Sequence, residues 1–211
     1  MIRNIIFDIG NVLIDFCWRE HIRSKGFQGE TAERIGKAMM LSPVWNELDR
    51  GVWTNEELLQ GFVSNDPELE REIRMVFSDL STLVKEKEGS SAWIRSLKAD
   101  GYQVYYLSNY SERVKREAAS ELSFLKEMDG GIMSCMVRTI KPDPLIYQML
   151  MEKYELLAEE SVFLDDTEVN VVAAERLGMY GILVNEVERA KQELAELLRK
   201  NGLQNLNQEN I

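Results

Sequence analysis

Six residues of this 211-residue chain have the types and spacing to do chemistry together: Asp8, Ser108, Asn109, Lys141, Asp165 and Asp166. Each follows closely on a short apolar run that reads as a buried strand. Taken singly, each has an ordinary explanation. An Asp after a strand is a turn former or a helix cap. Ser108-Asn109 ahead of a helical pattern is an N-cap. Lys141 alone is a solvated surface lysine, and Asp165-Asp166 alone is a capping loop. Four successive strand ends bearing such groups are harder to dismiss, because the groups complement one another: three carboxylates, one cation, one hydroxyl and one amide.

The combined set points to phosphoryl transfer on a small-molecule phosphate ester. Adjacent carboxylates after a buried strand repel each other unless a cation sits between them. Oxygen-only ligands favour a hard ion such as Mg²⁺, which takes few protein carboxylates and keeps several waters. That ion and Lys141 would offset the charge that otherwise keeps an anionic nucleophile from a phosphate. Ser108, Asn109 and N–H groups at a helix start would hold the phosphoryl oxygens. Asp8 would attack phosphorus and form an aspartyl phosphate that water then cleaves.

The elements that must position these groups are legible as alternating strands and helices. Asn4–Phe7 (NIIF), Gln103–Leu107 (QVYYL), Ile132–Val137, Ser161–Leu164 (SVFL) and Tyr180–Val184 are predicted strands. Between and after them the patterns predict helices over Ser90–Asp100, Ser111–Leu122, Pro144–Tyr154, Val169–Leu177 and Glu188–Lys200, with Gly101 and Gly178 as stops. The fold class is therefore α/β, a doubly wound Rossmann-like parallel sheet, with ligands expected at the carboxyl ends of its strands. Residues from about Phe16 to Val84 break the alternation. They hold helical stretches at Glu30–Leu41, Thr54–Ser64 and Pro67–Phe77 and no convincing strand, so an inserted all-helical cap is expected. The boundaries are 1–15 and 84–211 for the core and 16–83 for the cap. The tail from Gly202 is rich in Asn and Gln and is expected to fray.

Composition narrows the partners. A net charge of −11 argues against nucleic acid and anionic membranes, which call for clustered Lys and Arg. No apolar stretch reaches the ~18 residues of a membrane helix. The start shows no basic segment leading into a long apolar run, and Cys17 and Cys135 have no metal-site spacing, so a cytoplasmic location is the expectation. Oligomeric state is not legible.

Four ordered segments resemble those of the haloacid dehalogenase (HAD) superfamily: Phe-Asp-Ile-Gly-Asn-Val-Leu-Ile-Asp (7–15), Leu-Ser-Asn (107–109), Lys-Pro-Asp (141–143) and Phe-Leu-Asp-Asp-Thr-Glu-Val-Asn (163–170). The resemblance covers roughly 1–15 and 84–200, and the insert is similar to the cap found in one class of these proteins. It implies Asp8 as nucleophile, Ser108 and Lys141 on the phosphate, and Asp165 with Asp166 on Mg²⁺. The main-chain carbonyl of Gly10 would be a further metal ligand. The Asp-x-Gly-Asn-Val form and the stretch 47–54 resemble a branch that includes sugar phosphatases such as α-D-glucose-1-phosphate phosphatase.

One position departs from the pattern. Two residues after the nucleophile, most phosphatases of the superfamily carry a second Asp that serves as general acid and base; here it is Gly10. Such a group is worth about 10²–10⁴ in rate. Asp15, near the expected cap hinge, is a doubtful substitute. Three readings stay open. The first is a phosphatase for good leaving groups, sugar phosphates favoured, or one drawing its acid from the cap or the substrate. The second is a 2-haloacid dehalogenase, against which the paired acids argue. The third is a catalytically weak binding module. His21, the single histidine, reads as a surface or packing residue with a substrate contact as the lesser alternative, the four tryptophans and the ten methionines read as packing residues, and Trp45 and Trp53 are candidates to line the cap's inner face. Glu47 and Arg50 are candidate substrate contacts or a solvated pair. Asn11, Glu168 and Asn170 read as loop supports.

Overall fold

Every residue of the first strand, β1 (Asn4–Phe7), is buried. A strand buried along its whole length, with the apolar run Ile5-Ile6-Phe7, needs cover on both faces, as in an all-parallel sheet. The computed structural model describes the backbone of residues 1–208 and the side chains of residues 1–201. In it β1 lies at the centre, paired in parallel with β4 (Gln103–Ser108) and β6 (Ser161–Asp165). β5 (Gly130–Met133) and β7 (Tyr180–Leu183) complete the order β5-β4-β1-β6-β7. The chain winds outward on one side of β1 and then on the other, so the crevice at the carboxyl ends opens where the winding direction reverses.

The two-residue period of the strands divides the core. Ile5 and Phe7 face one side, where Phe7 meets Trp93 edge-on at 4.7 Å on helix α6 (Ser90–Ala99). Ile6 and Phe163 face the other, against Tyr147 of α9 (Pro144–Tyr154) and Ala174 of α10 (Glu168–Arg176). The doubly wound parallel sheet expected from the sequence is present.

Between the first two core strands the chain makes helices α1 (Trp18–Ser24), α2 (Gly29–Ala38), α3 (Val44–Arg50), α4 (Asn55–Asn65) and α5 (Glu70–Phe77). Ile22, Ile35, Phe62, Ile73 and Val76 form their fully buried interior. α1 and α2 approach closely at Gly36, where a Cβ would stand 2.3 Å from the Trp18 ring. Thr54 and Glu57 cap α4 reciprocally. Arg34 grips both oxygens of Asp66 at 2.7 and 2.8 Å, closing α2 onto the end of α4.

Several expectations are corrected. β2 (Ile14–Phe16) and β3 (Val84–Glu86) form an antiparallel ribbon at the root of the insert. Each is three residues long, too short to show a periodicity. The third expected strand ends at Met133, and Ser134–Val137 turns into the short helix α8. The helix over Ser111–Leu122 stops at Glu117 as α7 (Glu112–Glu117), and a 3₁₀ segment takes over from Ala119 to Glu127. The last helix, α11, runs from Val187 to Gln208 rather than ending at Lys200. The remainder of the expected frayed tail, residues 209–211, lies outside the described residues. No described helix is long and apolar enough to cross a membrane.

Candidate active site

Asp8 extends the β1–β6 ladder one step beyond the strand, its N–H donating to Leu164 O at 2.8 Å. Its carboxyl is thus delivered to the carboxyl end of the sheet. The chain then turns back within a few residues, with Leu13 N–H bonded to Ile9 O at 2.9 Å and Asn11 left-handed at φ 54°. Asn tolerates that backbone better than most residues. Its side chain braces the loop, donating to Asp166 Oδ2 at 2.9 Å.

Lys141 reaches the same point from the loop before α9. Its buried Nζ lies 2.7 Å from Asp8 Oδ1 and 2.6 Å from Asp165 Oδ2. Asn109 holds the lysine's main chain, accepting from Lys141 N at 2.7 Å and donating to Lys141 O at 3.0 Å. Asp165, fully buried, also accepts from Thr167 N at 2.8 Å and Asn170 Nδ2 at 3.1 Å. Burial lowers the affinity of Lys141 for its proton, but the two carboxylates outweigh it and hold the ammonium above its usual pKa. Burial pushes Asp8 up to about 7; Lys141 opposes that rise and Asp165 adds to it.

Ligand oxygens of Asp8, Asp165 and Asp166 lie within 4.8 Å of one another. One ammonium leaves this group with net negative charge, and every donor is oxygen, which fits a hard divalent ion. The Gly10 position borders the same space.

A cavity of about 220 Å³ opens over these groups. Asp8, Asn11 and Asp166 bound it on the sheet side. Ile14, Phe16, Leu83 and Val84, from the ribbon and its flank, give it an apolar wall, which Trp45 of α3 continues. Asn109, Tyr110 and Val114 close another side. Among the described residues, Ser108 Oγ and Tyr110 Oη are buried without a hydrogen-bond partner, and Asp8 Oδ1 is met by the Lys141 ammonium alone. Both hydroxyls belong to this neighbourhood, where an arriving ligand could satisfy them.

The sequence reasoning missed Asp49. This residue of α3 lines the cavity from the insert's side, and burial, followed by the negative charge of Asp8, pushes its carboxyl up to about 8. Burial and Asp49 in turn push the Tyr110 phenol above its usual range. Ser134, also missed, donates its hydroxyl to Asp49 O at 2.6 Å. Asp49 lies inside the cap stretch 47–54, but no spacing rule links it to Asp8.

Other candidates sit elsewhere. Asp15 is paired with Lys87 across the ribbon. His21 is fully buried, its ring nitrogens engaged by Thr82 Oγ1 at 2.9 Å and Val76 O at 3.2 Å. Glu47 and Arg50 pair with each other at 3.4 Å and do not line the cavity, and Trp53 is exposed.

Comparison with known proteins places this geometry in context. A family model described as haloacid dehalogenase-like hydrolase matches residues 2–178. Mouse acyl-CoA dehydrogenase family member 10 is 29% identical over 204 residues, covering 93% of this chain, but the chain spans only 19% of that protein's length. The sesquiterpene phosphatase astK of Aspergillus oryzae is 25% identical over 200 residues, covering 92% of this chain and 95% of that protein. A HAD-like family hydrolase from Porphyromonas gingivalis superposes with a TM-score of 0.69 at 25% identity, covering 94% of this chain and 98% of its own.

Proposed function

The chain belongs to the haloacid dehalogenase-like hydrolases, and from that premise we propose that it is a Mg²⁺-dependent phosphatase acting on a small phosphorylated metabolite through Asp8. The observation that carries the reading is the buried trio in which Lys141 Nζ stands 2.7 Å from Asp8 and 2.6 Å from Asp165. Such a cation beside a strand-end carboxylate allows two anions, nucleophile and phosphate, to meet. Residues 16–83 act as the cap, and 1–15 with 84–211 as the core.

In the first half-reaction an Asp8 oxygen forms a bond to phosphorus as the bond to the leaving oxygen breaks. In the second, water attacks the same phosphorus and the Asp8–phosphorus bond breaks, releasing inorganic phosphate and restoring the carboxylate. Ser108, Asn109 and Lys141 hold the phosphoryl oxygens. Asp8, Asp165, Asp166 and the Gly10 carbonyl would hold Mg²⁺, which when bound supplies the positive charge that offsets carboxylates and phosphate together. Cys17 and Cys135, both free thiols, are in keeping with a cytoplasmic setting.

Two substrate classes have support. A sugar 1-phosphate fits the glycine at position 10, because an anomeric oxygen leaves more readily than an ordinary alkoxide. The wall of Ile14, Phe16, Trp45, Leu83 and Val84 favours a second class, esters with an apolar group beside the phosphate. Similarity to a sesquiterpene phosphatase supports the same class. A panel of sugar, isoprenoid and nucleotide phosphates separates them. Phosphate release from an aryl phosphate should require Mg²⁺ and vanish in Asp8→Asn. Release that continues in excess chelator rules out the metal role, and chloride release from a 2-haloacid without metal moves the activity to dehalogenation.

A further inference from the structure

We propose that Asp49 is the proton donor to the leaving oxygen and, in the second half-reaction, the proton acceptor from water. The proposal rests on the phosphatase reading and deepens it. The family's usual group for this task has no side chain here, and space is not the reason. A Cβ on Gly10 would meet only Asp8 Oδ2, at 3.7 Å. The nearby alternative Asp15 is committed to Lys87 in the ribbon.

The titratable residues lining the cavity are Asp8, Asp49, Tyr110 and Asp166. Asp8 is the nucleophile, and Asp166 belongs to the carboxylate cluster with Asp8 and Asp165. Of the remaining two, the carboxylic acid is intrinsically the stronger acid. Asp49 also enters from a different layer than Asp8. In-line displacement places the leaving oxygen opposite the attacking one. Asp8 enters from the sheet and Asp49 from α3 of the insert, so the two carboxyls approach the cavity from different layers of the molecule.

Asp49 is held firmly and its carboxyl is spare. Its carbonyl accepts from Ser134 Oγ at 2.6 Å. Just beyond it Gly51, left-handed at φ +70°, lies against Cys135 so closely that a Cβ would stand 3.1 Å from the Cys135 Cβ. Both contacts tie α3 to α8 of the core. No described residue makes a hydrogen bond or ion pair with the Asp49 carboxyl, and beside it the buried Tyr110 hydroxyl is also without a partner. In the first half-reaction the leaving oxygen takes the Asp49 proton as its bond to phosphorus breaks, leaving Asp49 a carboxylate. In the second, that carboxylate takes a proton from water as water bonds to phosphorus and the Asp8–phosphorus bond breaks, restoring both side chains.

The test compares kcat/KM of wild type and Asp49→Asn, with Mg²⁺, on 4-nitrophenyl phosphate and on the phosphate of a simple primary alcohol. The nitrophenolate leaves unaided, whereas the alkoxide needs a proton. The variant should lose about 10²–10⁴-fold on the alkyl ester and less than about tenfold on the aryl ester, whose continued turnover also reports an intact fold. Asp49→Glu should retain more alkyl activity than Asp49→Asn. Equal losses on both esters, or no loss on the alkyl ester, overturn the role of Asp49. If wild type turns over neither ester, the phosphatase reading falls and the proposal with it, and the silence of the unaltered protein distinguishes that failure.

Discussion

The hydroxyl of Ser134 donates to the main-chain carbonyl of Asp49 at 2.6 Å, joining the core to the insert at the edge of the cavity. The same oxygen accepts from Tyr110 N–H at 2.9 Å. One buried side chain therefore holds two cavity residues that lie far apart in the chain. Ser134→Ala strips both bonds and leaves a buried N–H without a partner, which costs about 1–3 kcal/mol. Thermal unfolding should show a lower midpoint, by about 2–4 °C per kcal/mol for a chain of this size. An unchanged midpoint would mean that the bond contributes nothing to docking of the insert.

Lys141→Met removes the cation between Asp8 and Asp165 while keeping much of the stem's volume. Two buried carboxylates would then face each other, at a cost of about 3–5 kcal/mol. Protonation relieves that cost, so the loss should be larger at pH 8 than at pH 5. Denaturant unfolding at the two pH values checks both the size and the sign. A variant as stable as wild type at pH 8 would contradict this account of the trio.

Mg²⁺ should stabilise the folded protein, by about 2.7 kcal/mol at a concentration 100-fold above its Kd. Asp166→Asn removes one of the clustered carboxylates and should move the dependence to higher Mg²⁺. Thermal midpoints over a Mg²⁺ series measure this without any substrate. A midpoint indifferent to Mg²⁺ counts against the carboxylate cluster as an ion site.

His21 makes a separate pH prediction. Because Val76 O can only accept, Nε2 carries the proton at 3.2 Å and Nδ1 accepts from Thr82 Oγ1. Burial, the largest cause, holds the folded-state pKa below its usual value. Below about pH 6.5 the unfolded chain then binds a proton that the native ring resists. The stability contributed by the neutral ring is present above that pH and declines as pH falls toward the folded-state pKa. Urea midpoints from neutral to mildly acid pH should fall more steeply for wild type than for His21→Gln. Parallel curves would show that His21 does not carry the effect.

Much of this architecture is legible from the chain alone. Strand periodicity and length are local, so β1, β4, β6 and β7 are readable from their own residues, and Asp8, Ser108, Asn109, Asp165 and Asp166 are readable as polar residues at or just past their ends, whereas Lys141 follows the helix α8 and not the strand end expected for it. Composition and order are also enough to suggest a parallel sheet with an inserted helical segment. Tertiary structure decided what depends on residues distant in sequence. The β2–β3 ribbon exists because Ile14–Phe16 finds Val84–Glu86 across the whole insert, and Ser134–Val137, apolar enough to read as strand, turns into a helix that packs against the end of α3. Asp49 acquires its environment in the same way. Nothing near it in sequence distinguishes it from a solvated helix acid, and only the docking of α3 over the strand ends places its carboxyl on the wall of the cavity that Asp8 enters from the sheet. A local pattern specifies which face of an element is buried; which two elements bury each other, and therefore which carboxyls share a cavity, is settled by packing between residues many positions apart.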